Sequence, residues 1–178
     1  YEIRNCDWSS DVRSSDLALM NNEGRMGLTR FGTIPMMDVT GSFGALPTRN
    51  NREVQFEGHE KINATAMQTP NERGHTNLIT NGACFGCTIG CGRICHIDPE
   101  HFSVKDRPEY HGASGGLEYE TAYALGAACG VDDIDAATFA GFMCNEYGMD
   151  PISLGGTIAA AMELYDLGVI TKEHTGGI

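Results

Sequence analysis

Ala83-Cys84-Phe85-Gly86-Cys87-Thr88-Ile89-Gly90-Cys91-Gly92-Arg93-Ile94-Cys95 is the stretch on which the reading of this chain turns. Its four thiols fall within twelve residues, separated by two, three and three intervening positions. Thiolates so spaced on a tight turn converge on a small inorganic object from several sides. Gly86, Gly90 and Gly92 are expected to serve that turn: glycine takes unusual dihedrals and lets amide N–H groups approach cluster sulfurs, donors that raise a reduction potential. Three arrangements fit the spacing. A structural zinc ion is one, although zinc sites usually present two separated Cys-x-x-Cys pairs and only one such pair is present. A self-contained iron–sulfur cluster on Cys84, Cys87, Cys91 and Cys95 is the second, and a cluster on the first three thiols plus a distant fourth is the third. Spacing alone favours iron–sulfur over zinc or buried thiols.

Towards the C-terminus, residues 96–116 read as a loop rich in His, Pro and Asp, and its His96, His101 and His111 are expected to be surface residues. Three helices follow with clear punctuation. The first spans Glu118 to Cys129 and stops at Gly130. The second is capped by Asp132 or Asp133, runs to about Tyr147 and closes at Gly148. The third opens on Asp150-Pro151 and runs to about Leu167 before Gly168, with proline just inside the start and glycine just past the end. Its core-facing set is expected to be Ile152, Leu154, Ile158, Ala161, Met162 and Tyr165.

Towards the N-terminus, residues 18–82 are interrupted often by Gly and Asn, so short helices joined by loops are expected, one before Gly32 and one around Lys61 to Met67. Residues 1–17 repeat Ser-Ser-Asp without an apolar period and are expected to be a foreign or disordered terminus. The fold class is therefore mainly α, with an irregular Cys-rich loop.

Composition sets the outer limits. At 178 residues and 41% hydrophobic, the chain is long enough for one domain with a real core. Twelve Lys and Arg face 24 Asp and Glu, a net charge of -12 that argues against nucleic acid, whose phosphates need clustered cations. No stretch approaches a membrane span and no apolar signal opens the chain. Seven cysteines without an export signal read as metal binding in a reducing, cytoplasmic setting and not as a disulfide framework.

The cysteine segment Cys84-Phe85-Gly86-Cys87-Thr88-Ile89-Gly90-Cys91-Gly92-Arg93 also resembles that of the aldehyde:ferredoxin oxidoreductase family. The likeness continues in order through Glu118-Tyr119-Glu120-Thr121, Ala124-Leu125-Gly126 and Cys144-Asn145-Glu146-Tyr147-Gly148-Met149-Asp150. It extends to Ile152-Ser153-Leu154-Gly155-Gly156 and Ala161-Met162-Glu163-Leu164-Tyr165, and reaches back to Arg30-Phe31-Gly32-Thr33. Together these blocks are far more specific than any one of them.

The resemblance implies a fragment, residues 18–178, of the helical domains, with a pterin domain expected upstream and a further helical domain downstream; alone it is expected to be inactive. It implies a tungsten (rarely molybdenum) ion held by two pterins and a 4Fe-4S cluster beside it. The implied reaction oxidises an aldehyde to a carboxylic acid and passes electrons to ferredoxin or another carrier. Cys84, Cys87 and Cys91 match the cluster ligands, leaving Cys95 a spare thiol and the fourth ligand downstream. Glu120 matches a carboxylate that assists proton transfer, with an alternative reading as a dipole-favoured residue of a helix N-terminus. Glu118 is expected to brace the entry loop. Asn145, Met149 and Asp150 match pterin contacts, and Asp150 also suits an N-cap. Two departures stand out. Leu117 replaces a proline, leaning towards the branch with aromatic aldehyde oxidoreductases and the tungsten subunit of benzoyl-coenzyme A reductase. Phe139 replaces a glutamate that bridges dimers through a metal in some members, so no such site is expected; homo-oligomerisation stays open.

Overall fold

The structure, a computed structural model, describes residues 16–111 and 114–178; the expectation for residues 1–17 lies almost wholly outside them. The chain is mainly α, as expected. Its elements in order are α1 (Glu23–Phe31), α2 (Met36–Ser42), α3 (Ala64–Gln68), β1 (Leu78–Gly82), β2 (Gly92–His96), β3 (Ser114–Gly115), α4 (Tyr119–Leu125), α5 (Ile134–Glu146) and α6 (Pro151–Asp166). Among the described residues, no helix is long and apolar enough to cross a membrane.

The helix starts follow the capping chemistry of their sequences. Asn22, Asn63, Asp133 and Asp150 each accept a backbone N–H of the following turn, closing α1, α3, α5 and α6 at their N-termini. Pro151 then sits at the first helical position of α6, and Gly168 follows its end at φ 71°. The α4 region departs from expectation. The expected helix over Glu118–Cys129 stops at Leu125, and a separate 3-10 turn covers Ala127–Cys129. A Cβ at Gly126 would run into Ala122 O and come within 2.7 Å of Ile62 Cδ1, so the chain turns sharply where the core leaves no room.

An antiparallel three-stranded sheet, ordered β1-β2-β3, was not expected. Its pattern is hard to see because β2 inverts the usual polarity: Arg93 and Cys95 are buried while Ile94 is exposed. Gly92 serves this pairing and not the turn, since a Cβ there would lie 3.0 Å from Gly82 O on the neighbouring strand.

The core gathers Ile34, Met37, Leu46, Phe56, Ile62, Met67, Cys95, Leu117 and Ala122, so α2, α3, β2 and α4 share one apolar centre. The last helix corrects the expected face. Gly155 and Ala159 are its buried residues, whereas Ile152, Ile158, Met162 and Tyr165 are all at least 38% exposed. Close approach decides this: a Cβ at Gly155 would lie 2.6 Å from the carbonyl carbon of Ala124, so α6 meets α4 through its small residues and turns its large ones out.

Candidate functional site

Cys84, Cys87 and Cys91 lie on the connection between β1 and β2, outside the core. Cys84 and Cys87 are exposed and Cys91 is half-buried. The turn begins with Cys87 N–H donating to Cys84 O at 3.0 Å, and Gly86 and Gly90 take φ 70° and 61°, as expected of its glycines. Amide hydrogens then point at sulfur: Ile89 N lies 3.4 Å from Cys87 Sγ. The Gly90 N–H foremost, and the Ile89 N–H after it, hold the Cys87 thiol below its ordinary pKa, which favours the thiolate that binds metal.

Helix α1 holds this loop from the outside. Arg25 Nη1 donates to Thr88 O at 3.1 Å and Thr29 Oγ1 to Ile89 O at 2.5 Å. Arg93 closes the same joint. Its guanidinium, 5% exposed, donates to Leu28 O at 2.9 Å and Thr29 O at 3.3 Å at the C-terminus of α1, and to Asn81 Oδ1 on β1. Gly32 (φ 63°) is required here, because a Cβ would lie 2.7 Å from Arg93 Nε and 3.0 Å from Cys91 O. Sequence reasoning placed Arg93 in the motif but missed its role and those of Arg25 and Thr29; their signal is spatial, and nothing in local spacing carries it.

Cys95 belongs to the core. It is fully buried beneath β2, and burial pushes its thiol up to about 11. Among the described residues, the group whose ligand atoms all come within 4.8 Å of one another is His75, Asp98 and Asp135; the thiols of Cys84, Cys87 and Cys91 form no such group. The donor set of three accessible thiols with N–H groups turned towards one of them suits a cluster.

From the loop the structure leads directly to α4. Thr33, next to Gly32, donates its hydroxyl hydrogen to Glu118 Oε2 at 2.5 Å and its N–H to the same oxygen at 3.3 Å, while Tyr119 N donates to Thr33 Oγ1 at 3.0 Å. Glu118 thus braces the entry turn, as expected. Two residues on, Glu120 is exposed in the first turn of α4. Burial raises the pKa of the nearby Tyr123 hydroxyl, and the negative charges of Glu120 and Asp150 add to that rise. Asp150 itself is exposed and caps α6, its Oδ2 accepting from Ser153 N at 2.7 Å; the Ser153 hydrogen bonds hold its carboxyl below the usual range. Asn145 and Met149 are exposed on the same α5–α6 junction.

Of the loop histidines, His101 corrects the expectation. It is 8% exposed, with Nε2 3.0 Å from Asp133 Oδ2 and Nδ1 2.7 Å from Ser103 Oγ, so it anchors the cap of α5. Phe139 packs edge-on against Tyr110, ring centres 5.4 Å apart.

Residues 12–178 match the family described as "Aldehyde ferredoxin oxidoreductase, domains 2 & 3". The tungsten-containing aldehyde ferredoxin oxidoreductase of Pyrococcus abyssi (strain GE5 / Orsay) is 39% identical over 151 residues, covering 85% of this chain and 22% of the relative. The protein of the same name from Thermococcus kodakarensis is 36% identical over 150 residues, covering 84% and 22%. An aliphatic sulfonate oxidoreductase, WOR-like subunit, from Pyrococcus furiosus is 26% identical over 132 residues, covering 73% and 19%. The chain spans about a fifth of the length of these curated relatives. Match and site together place this chain in the aldehyde ferredoxin oxidoreductase family, in the region of its second and third domains.

Proposed function

We propose that this chain is the cluster-holding part of a tungsten (or molybdenum) bis-pterin enzyme that oxidises aldehydes to carboxylic acids and passes the electrons to ferredoxin or a similar carrier. One observation carries the reading: three accessible thiols on a loop splinted by α1 adjoin, through Thr33 and Glu118, the helix start that presents Glu120. Conversion of an aldehyde and water to a carboxylic acid releases two electrons and two protons. The metal–pterin, when bound, supplies the two-electron centre, and the 4Fe-4S cluster supplies the one-electron exit.

The chain's own residues have separable tasks in this proposal. Cys84, Cys87 and Cys91 hold the cluster, and the Ile89 and Gly90 amides offset the charge on the Cys87 sulfur. Glu120 takes and returns protons at its carboxylate. Asn145, Met149 and Asp150 meet the pterin edge: Asp150 caps α6 with one oxygen and offers the other to amino donors. Exposed thiols of this kind require a reducing compartment, which the cytoplasm provides.

The test is anaerobic reconstitution of the complete protein. A broad iron–sulfur absorption that bleaches with dithionite is expected, with tungsten in metal analysis and aldehyde-dependent reduction of a viologen dye. Cys87→Ala should abolish the absorption; a spectrum unchanged in that variant, or zinc without iron, overturns the assignment. A second reading is favoured by the match to the sulfonate oxidoreductase subunit: the same scaffold serving another substrate, as in a benzoyl-coenzyme A reductase-type complex. Dye reduction by simple aldehydes distinguishes the two.

A further inference from the structure

A second set of metal-ligating groups lies apart from the cysteine loop, between the turn before β1, the loop after β2 and the start of α5. His75, Asp98 and Asp135 bring one ligand atom each to within 4.8 Å of one another. Asp98 and Asp135 are 3% and 7% exposed, and His75 is half-buried. The three come from separate places: a turn before β1, the loop after β2, and the first turn of α5. Each is held independently. Asn71 Oδ1 accepts from Arg73 N and His75 N, both at 3.0 Å, which fixes the turn and leaves the imidazole ring of His75 free of that task. Asp98 Oδ1 accepts from Glu100 N at 2.9 Å, and its Oδ2 from Asn71 Nδ2 at 2.6 Å and from Arg73 Nε at 2.7 Å. Asp135 Oδ1 accepts from Asn77 Nδ2 at 2.8 Å.

The charges in this group do not balance. Arg73 pairs directly with Asp98 from the solvent side, where half its side chain is exposed, and reaches Asp135 only through its charge. Asp135 has a neutral amide and the partial charge of a helix start, so a buried carboxylate remains beside another of the same sign. Asn77 adds an independent sign of the same deficit. It is 3% exposed, its amide group touches Asp135, and its carbonyl oxygen is buried without a donor. A buried oxygen acceptor with no hydrogen to accept, on the side chain whose amide group binds Asp135, is what a cation would satisfy.

We propose that His75, Asp98 and Asp135, with the Asn77 carbonyl oxygen as a fourth donor, form a binding site for one divalent first-row transition cation. An imidazole together with carboxylate and amide oxygens suits Mn2+, Fe2+ or Zn2+. Arg73 stays on the outer oxygen of Asp98 as a second partner that orients the carboxylate. The site is structural: it ties the strand-entry turn at His75–Asn77 and the loop at Asp98 to the start of α5.

The experiment is Mn2+ titration of the complete protein, followed by the electron paramagnetic resonance signal of free Mn2+ after exhaustive dialysis against a chelator. A Cys84→Ala/Cys87→Ala background removes two of the three proposed cluster thiols, so the result is independent of the proposed redox function. One Mn2+ bound per chain, displaced by Zn2+, is expected, with a rise in melting temperature on binding. His75→Ala and Asp135→Asn should each weaken binding by about tenfold or more, and Asp135→Asn should raise the melting temperature of the metal-free protein by removing a buried like charge. His75 sits on a partly exposed turn, so His75→Ala removes a ligand without disturbing the buried carboxylates and decides the matter by itself. Absence of Mn2+ and Zn2+ binding, or binding equal in wild type and His75→Ala, overturns the proposal in favour of a closed ion-pair network.

Discussion

Thr29 on α1 donates its hydroxyl hydrogen to the carbonyl oxygen of Ile89, 60 residues away in the middle of the thiol loop. With Arg25 on Thr88 O, it makes a helix that supplies no proposed ligand into the support of those that do. Thr29→Val removes one such bond and leaves the Ile89 carbonyl without this donor, a loss of about 1 kcal/mol. In the complete protein the expected outcome is near-normal iron content but faster bleaching of the iron–sulfur absorption in air. Bleaching at the wild-type rate would show that α1 does not splint the loop.

Cys95 lies in the same motif as the three loop thiols yet faces the core. Cys95→Ala is expected to keep the full cluster absorption and iron content while lowering stability by about 1 kcal/mol, the cost of losing one buried heavy atom's packing. Loss of the absorption in this variant, with the fold intact by circular dichroism, would make Cys95 a ligand.

How much of this was readable beforehand follows from the kind of signal each residue carries. Asp133, Asp150, Pro151 and Gly168 act within a few positions of themselves, and the helices they punctuate fall where the sequence places them. The sheet was hidden because Arg93 and Cys95 turn inward and Ile94 outward, the reverse of an apolar alternation. The support of the loop was hidden for another reason. Arg25, Thr29 and Arg93 act across some 60 residues, and only the folded chain shows that α1 lies against the turn. Glu118 was legible because its motif position left it little else to do than hold the entry turn. The face of α6 was misread because size was weighed as burial, whereas at Gly155 the absence of a side chain is what allows the approach.

That last point gives a paired expectation. Gly155→Ala forces a methyl group against the Ala124 backbone and should destabilise the protein by about 1–3 kcal/mol. Gly156→Ala, one residue on, has open space around it within the helix and should stabilise by up to about 1 kcal/mol. Thermal melts of the two variants should move in opposite directions. Equal shifts would mean that α4 and α6 are not in close contact.

Acid should act through Asp133. Burial alone would raise its pKa, but the Ala136 N–H and then His101 hold it below the ordinary carboxylate value. A depressed folded-state pKa means that the stabilisation is present above the unfolded value of about 3.9 and is lost as pH falls through the lower folded one. Asn keeps the cap but carries no charge, so between about pH 5 and pH 3 the wild-type melting temperature should fall more steeply than that of Asp133→Asn. Parallel curves would remove Asp133 from the acid transition. Asp133→Ala should cost about 1 kcal/mol at neutral pH, the usual loss of an N-cap.

The placement of Cys84, Cys87 and Cys91 on a connection outside the apolar centre bears on biogenesis. None of the three contributes a side chain to that centre, so under the proposed function the apolar packing of this region does not wait for the cluster. Delivery of the proposed cluster would then be a docking event onto an already packed rim. The interval between collapse and delivery is the window in which oxygen can damage the naked sulfhydryls.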